Sequence, residues 1–219
     1  MRPPRSLTLA LLVTSILAIE VFITARQWEL PFVWAWLCTF GLILTLAFAT
    51  VQPVLDRTVH GSRDAFIPYV GSTAIVAILF VVGLDLRFQW FDPLPVWVSL
   101  LALPWFAIGM LVTTWAIGVN PSFMMRLRAE PPPPLVKIGP YAIVRHPGYA
   151  GMMLLLVTTG PAMGSWLATL PGLAAALIVA VRAFVEDRVL RRSVTGYPDY
   201  ARQVRRRFVH AGLLLRSAR

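Results

Sequence analysis

Six stretches of almost unbroken apolar residues alternate with short polar breaks along this chain of 219 residues. A helix that crosses a bilayer needs about 20 mostly apolar residues. Leu7–Ala25 has that length, with Glu20 as its one charge, and Pro31–Val51 follows, with Trp28, Trp34 and Trp36 reading as an interfacial belt. Ile67–Leu84 is slightly short, and Leu94–Gly118 is long, with Pro104 inside it as a candidate kink. A polar break, Asn120–His146, then holds the run Pro131-Pro132-Pro133-Pro134, an extended spacer that cannot be helix. Beyond it, Tyr149–Met163 and Trp166–Phe184 are joined only by Gly164-Ser165 and read as a helix hairpin whose first arm is short for a full crossing. The tail, Val185–Arg219, is basic and begins as helix. The pattern predicts an all-α integral membrane protein of about six transmembrane segments, the last two forming the hairpin. Residues 1–65 read as a variable pair of N-terminal helices added to a core over residues 66–219.

Composition agrees with the bilayer. The chain is 58% hydrophobic with a mean hydropathy of +0.70, against roughly 45–50% apolar residues in a soluble domain. Charge then orients it. Residues 1–121 carry six basic and six acidic side chains and residues 122–219 carry fourteen and four, so the whole net charge of +10 lies in the second part. These basic residues flank apolar helices, where Lys and Arg mark cytoplasmic loops and anionic headgroups rather than a nucleic-acid footprint. With six segments, both termini share a side with the Asp56–Asp64 loop, the Asn120–His146 break and the basic tail. The opposite side holds only Arg26, Glu29, Asp85, Arg87 and Asp92. The positive-inside rule puts the termini in the cytoplasm and suggests the cell inner membrane. The single cysteine, Cys38, excludes an internal disulfide and a cysteine-based metal site and reads as core packing; no metal set is expected. The basic N-terminus followed by an apolar run reads as a retained signal anchor.

Three polar clusters converge on the cytoplasmic face. They are Asn120-Pro121-Ser122-Phe123, Gly139–Gly151, and a run from Arg182 through Glu186-Asp187-Arg188 to Gly196-Tyr197-Pro198-Asp199-Tyr200 and Arg205-Arg206-Arg207. Polar groups at a membrane boundary are costly unless paired or useful, so the clusters mark a candidate cofactor pocket. If the hairpin closes, His146 and Glu186 meet at its open end. Glu186 and Asp187 can bind an ammonium or ribose hydroxyls. Arg145 and His146 can bind a carboxylate. Tyr141, Tyr149, Tyr197 and Tyr200 offer faces for an adenine or a sulfonium, and glycines at 139, 148 and 151 let backbone approach a ligand. A nucleoside with a zwitterionic amino-acid tail fits that set, and S-adenosylmethionine is such a molecule.

The segment GPYAIVRHPGYAG, the hairpin, the acidic pair and GYPDYARQVRRRF together resemble the isoprenylcysteine carboxyl methyltransferase family and its bacterial relatives, with phospholipid N-methyltransferases as distant kin. The resemblance covers about residues 115–209 and implies an integral membrane methyltransferase that takes S-adenosylmethionine from the cytosol. The family's cofactor pocket falls on Gly139, Tyr141, Val144, Arg145, His146, Pro147, Tyr149, Gly151, Glu186 and Asp187, and its late tyrosines fall on Tyr197 and Tyr200. Its late arginine falls on Arg207 and its post-helix asparagine on Asn120, both on the acceptor side. Two departures stand out. The family's second glutamate is Asp187 here, and its Arg-Leu-Ile-Pro reads Arg207-Phe208-Val209-His210.

The implied reaction is an in-line displacement at the sulfonium methyl, for which the protein aligns the nucleophile and excludes water. Arg207 orients an anionic acceptor, with Arg206 as its alternate, whereas an amine or phenol needs a base, for which His146 is nearest. A lipophilic acceptor can enter sideways between helices four and six. Two other readings compete. Sterol-reductase relatives share the C-terminal architecture but read Arg-His-Pro-Asn-Tyr-x-Gly-Glu, where this chain has Gly148 and Met152. A small transporter would need polar residues at mid-membrane depth, which helices two to six nearly lack.

Overall fold

A computed structural model describes residues 5–51, 53, 66–92, 94–124 and 134–208 of the chain. Among them every regular element is helical: α1 (Arg5–Ala25), α2 (Pro31–Thr50), α3 (Phe66–Phe88), α4 (Val96–Val119), α5 (Pro147–Ala162), α6 (Thr169–Ser193) and the short α7 (Tyr197–Gln203), with 3-10 turns at Pro121–Met124 and Gly139–Ala142. The Asp56–Asp64 loop, Pro131–Pro133, His210 and the rest of the tail lie outside the described residues.

Five of these helices, α1 to α4 and α6, are long and apolar enough to cross a membrane. α5, with 16 residues, rises about 24 Å at 1.5 Å per residue, short of a hydrocarbon core of roughly 30 Å. The protein is a multi-pass integral membrane protein. Only 22–39% of each span's most apolar stretch is buried, so the remaining apolar surface is left for lipid. Hydroxyls inside the spans are satisfied locally, as where Thr14, Thr45, Thr113 and Thr159 each donate to the carbonyl four residues earlier at 2.7–2.9 Å. Proline opens α2 and α5 in their first turn, where no backbone donor is lost.

The helices meet where side chains are smallest. α4 and α5 pack most extensively. A Cβ on Gly151 of α5 would lie 2.6 Å from the Gly109 carbonyl oxygen of α4, so the crossing tolerates only hydrogen there. Gly172 of α6 has the same relation to the Leu156 carbonyl of α5. One continuous hydrophobic cluster runs through all six long helices, from Leu17 and Trp36 to Phe106, Leu156 and Val179.

Several boundaries differ from the sequence reading. α3 runs on through Asp85 and Arg87 instead of ending at Leu84, because Asp85 is buried against the α5–α6 turn and accepts the Ser165 hydroxyl at 2.6 Å. α6 begins at Thr169 and continues nine residues past Phe184 to Ser193. Its polar extension, which contains Glu186 and Asp187, is held by side-chain partners from outside the helix. It stops before Gly196, which adopts φ +79°. Trp36 is not part of an interfacial belt; it is fully buried between Phe40 and Phe106 at centroid distances of 5.0 and 4.9 Å. Cys38, expected in the core, is exposed.

Candidate functional site

The hairpin closes as its sequence implies, and the polar clusters meet at its open end. α5 starts at Pro147, directly after His146, and antiparallel α6 brings Glu186 and Asp187 alongside. The Tyr149 hydroxyl donates to Glu186 Oε2 at 2.6 Å. One turn earlier on α6, the Arg182 guanidinium lies 4.9 Å from the centre of the Phe66 ring.

Asp187 is the centre of the arrangement, with 1% of its side chain exposed. Its Oδ1 accepts the Tyr197 hydroxyl at 2.8 Å and lies 3.0 Å from Arg145 Nε and 3.5 Å from His146 Nε2. Its Oδ2 takes Arg191 and Arg207, both at 3.2 Å. A carboxylate out of water is tolerable only when its lone pairs are filled, and here Tyr197, Arg191 and Arg207 hydrogen-bond it while Arg145 and His146 stand beside it. Arg145 is buried as well, and its Nη1 donates to the carbonyls of Ala201, Val204 and Arg205 at 3.2, 2.9 and 3.1 Å. These oxygens lie at and just past the end of α7, where helical partners run out. The Arg145 and His146 amides donate to the Arg206 and Arg207 carbonyls at 2.9 and 3.0 Å. The chain after α7 is thereby laced back onto the segment before α5.

Between this strap, the Asn120 turn and α6 lies a cleft of about 560 Å³, counting its open mouth. It is lined by Asn120, Ser122, Phe123, Tyr141, Arg145, His146, Glu186, Tyr197 and Tyr200, with Pro134, Leu135, Val136, Leu190 and Val194 completing the wall. The Asn120 Oδ1 is buried there without a hydrogen-bond partner among the described residues. The Tyr200 hydroxyl donates to the Tyr141 carbonyl at 2.7 Å. Burial pushes the Tyr200 phenol up to about 12, and it raises those of Tyr141 and Tyr197 further, Tyr197 also through its bond to Asp187. All three are neutral donors and flat surfaces at physiological pH.

Seven of the residues picked out in the sequence therefore line the cleft: Asn120, Tyr141, Arg145, His146, Glu186, Tyr197 and Tyr200. The other seven stand behind its wall. Gly139 opens a 3-10 turn at φ +59°, a conformation that favours glycine. Val144 and Pro147 are buried. Tyr149 holds Glu186, and Gly151 faces α4 backbone rather than a ligand. Asp187 is enclosed by its partners. Arg207, expected to face an anionic acceptor, bonds Asp187 and stacks 4.8 Å from the Phe184 ring centre. At Gly148 a Cβ would come within 2.9 Å of the Phe123 ring, so the asparagine of the reductase pattern would have to displace that ring. The sequence reading missed the apolar wall of Leu190 and Val194, although Leu190 lies one turn from Glu186 on the same face of α6 and Val194 follows directly at the helix end. Leu135 and Val136 carry no such signal.

The donor set suits a ligand with a positive centre near Glu186 and a flat ring among the tyrosines. No group of three or more His, Cys, Asp or Glu residues placed to hold a metal occurs among the described residues. None of the curated proteins matches the chain. Residues 100–192, which supply α4, the Asn120 turn, α5 and the acidic pair on α6, match the model of the isoprenylcysteine carboxyl methyltransferase (ICMT) family, and this match bears out the resemblance read in the sequence.

Proposed function

We propose that the protein is an integral membrane methyltransferase that binds S-adenosylmethionine in the cleft and methylates a lipophilic or small acceptor at the membrane–cytosol boundary. The observation that carries this reading is Glu186. It is the one carboxylate on the cleft wall among the described residues, it is oriented by Tyr149, and it stands where α6 leaves its apolar stretch. The bound cofactor supplies an electrophilic methyl group on a sulfonium. Glu186 holds the cationic amino-acid end, while the Tyr141, Tyr197 and Tyr200 faces receive the ring and attract positive charge. Asn120 offers a buried carbonyl oxygen, and the apolar wall excludes water.

Asp187, Arg145 and Tyr149 act from behind the wall, by keeping the strap and Glu186 in place. The described residues that line the cleft all lie between 120 and 200, which fits a core over residues 66–219 with the first two helices as an addition. The basic loops favour an orientation with both termini and the cleft in the cytoplasm, in the inner membrane of the cell.

Calorimetry on detergent-purified protein tests the reading. S-adenosylmethionine and S-adenosylhomocysteine should bind the wild type, and Glu186→Ala should weaken S-adenosylmethionine at least about tenfold, or 1.4 kcal/mol. A folded wild type that binds neither overturns the reading.

A further inference from the structure

One wall of the cleft is carried by a turn whose outer side is apolar. Val136 before the turn and Tyr141 within it both line the cleft. The turn, Gly139–Ala142, buries Pro140 and Tyr141 toward the protein. The Tyr141 hydroxyl points at the Ala116 carbonyl of α4, 3.4 Å away, and the Tyr141 carbonyl accepts the Tyr200 hydroxyl at 2.7 Å. The flanking residues turn the other way. Ile138 is 71% exposed and Ile143 52%, and Lys137 is exposed beside them. Two exposed isoleucines in one short turn call for an apolar surrounding.

The neighbouring span supplies one. α4 presents Ile108, Leu111 and Trp115 outward, three and four residues apart and so on one lipid-facing stripe of a candidate span. That stripe ends against the turn: a Cβ on Gly139 would lie 3.8 Å from the Trp115 ring and 3.3 Å from the Val119 side chain. An outward Trp at the end of a span marks the level where hydrocarbon gives way to headgroups. We propose that Lys137–Ile143 is a membrane anchor. Ile138 and Ile143 enter the leaflet on the cleft's side, next to Trp115, and Lys137 meets the headgroup phosphates. The anchored turn fixes Tyr141, and with it one wall of the cleft. The partner of this surface is the bilayer itself, so the cleft is complete only when the turn is seated in lipid. The effect on cofactor binding rests on the methyltransferase reading, whereas the insertion does not.

The test uses the full chain in bilayer discs of phosphatidylcholine and phosphatidylglycerol. In a Cys38→Ser background, Ile138→Cys and Ile143→Cys each receive a nitroxide label. Leu111→Cys serves as the lipid-facing reference and Arg202→Cys, at a side chain 80% exposed, as the aqueous one. Labels at positions 138 and 143 should be relaxed more by oxygen, which concentrates in lipid, than by a water-soluble nickel chelate, as at position 111. The pattern of position 202 at either site overturns the insertion. Each site is read separately, so one folded variant suffices to decide. The double variant Ile138→Asp with Ile143→Asp should then raise the dissociation constant for S-adenosylmethionine at least about fivefold, as when the wall is in place in about one molecule in five. Unchanged affinity in a double variant with the helical circular dichroism of the wild type overturns the link from anchor to cleft. A wild type that fails to bind S-adenosylmethionine overturns the methyltransferase reading, while the labels still decide the insertion.

Discussion

The two ends of the α5–α6 hairpin each bury an aspartate, and they use it differently. At the turn, Asp85 of α3 accepts one hydroxyl, that of Ser165, and Ser165 Oγ in turn accepts the Ala168 amide at 3.2 Å. At the open end, Asp187 gathers Arg145, His146, Arg191, Tyr197 and Arg207. One partner pins one turn. Five partners, drawn from before α5, along α6, from the start of α7 and from beyond it, tie together segments far apart in the chain. The three arginines also exceed the charge of the carboxylate they share, which leaves positive potential behind the cleft wall. Burial of an acid is thus a local fastener at one end and the framework of a site at the other.

The contrast can be broken most sharply at Asp187. Asp187→Ala strands buried Arg145 and should cost about 3–5 kcal/mol in thermal unfolding followed in detergent; a cost below about 1 kcal/mol would mean that the strap holds without the carboxylate. Next comes the apolar seam between the two ends. Gly151→Ala drives a Cβ against α4 backbone and should destabilise by about 1–3 kcal/mol, whereas an unchanged melting temperature would show that α4 and α5 can separate freely. Asp85→Ala should cost about 1–2 kcal/mol, the scale of leaving one buried hydroxyl short of its partner, and leave cofactor affinity intact. Weakened binding in that variant would join the two ends into one cooperative unit.

The smallest effect is on pH. Tyr141, Tyr197 and Tyr200 have phenols raised above the ordinary value of 10, that of Tyr200 to about 12. The folded state keeps these protons when the unfolded chain has lost them, so their contribution is complete below pH 10 and falls as pH rises from 10 through 12. Melting temperature should therefore drop gradually over that window, and Tyr200→Phe should flatten the drop. A flat wild-type profile would show that the strap does not bury its tyrosines.

Much of this molecule is legible from its sequence because the bilayer leaves few alternatives. A long apolar run must satisfy its own backbone, so it is a helix, and the six stretches appear as helices close to their expected bounds. The hairpin follows from a two-residue connection, and the meeting of His146 with the acidic pair follows from the hairpin. What spacing could not distinguish was the direction each side chain faces. Glu186 and Asp187 are adjacent and chemically alike, yet a rotation of about 100° along the helix puts one on the cleft and the other among five donors. Gly151 looked suited to a ligand and instead admits α4. Trp36 looked interfacial and is core. Arg207 looked like an acceptor contact and supports Asp187, because the strap pairs its backbone with His146. Helices, their order and the gathering of polar residues at one end were written in local composition, which acts within a few residues of chain. The roles of those residues were decided by contacts between segments as many as 60 residues apart, and only the packed structure chooses among them.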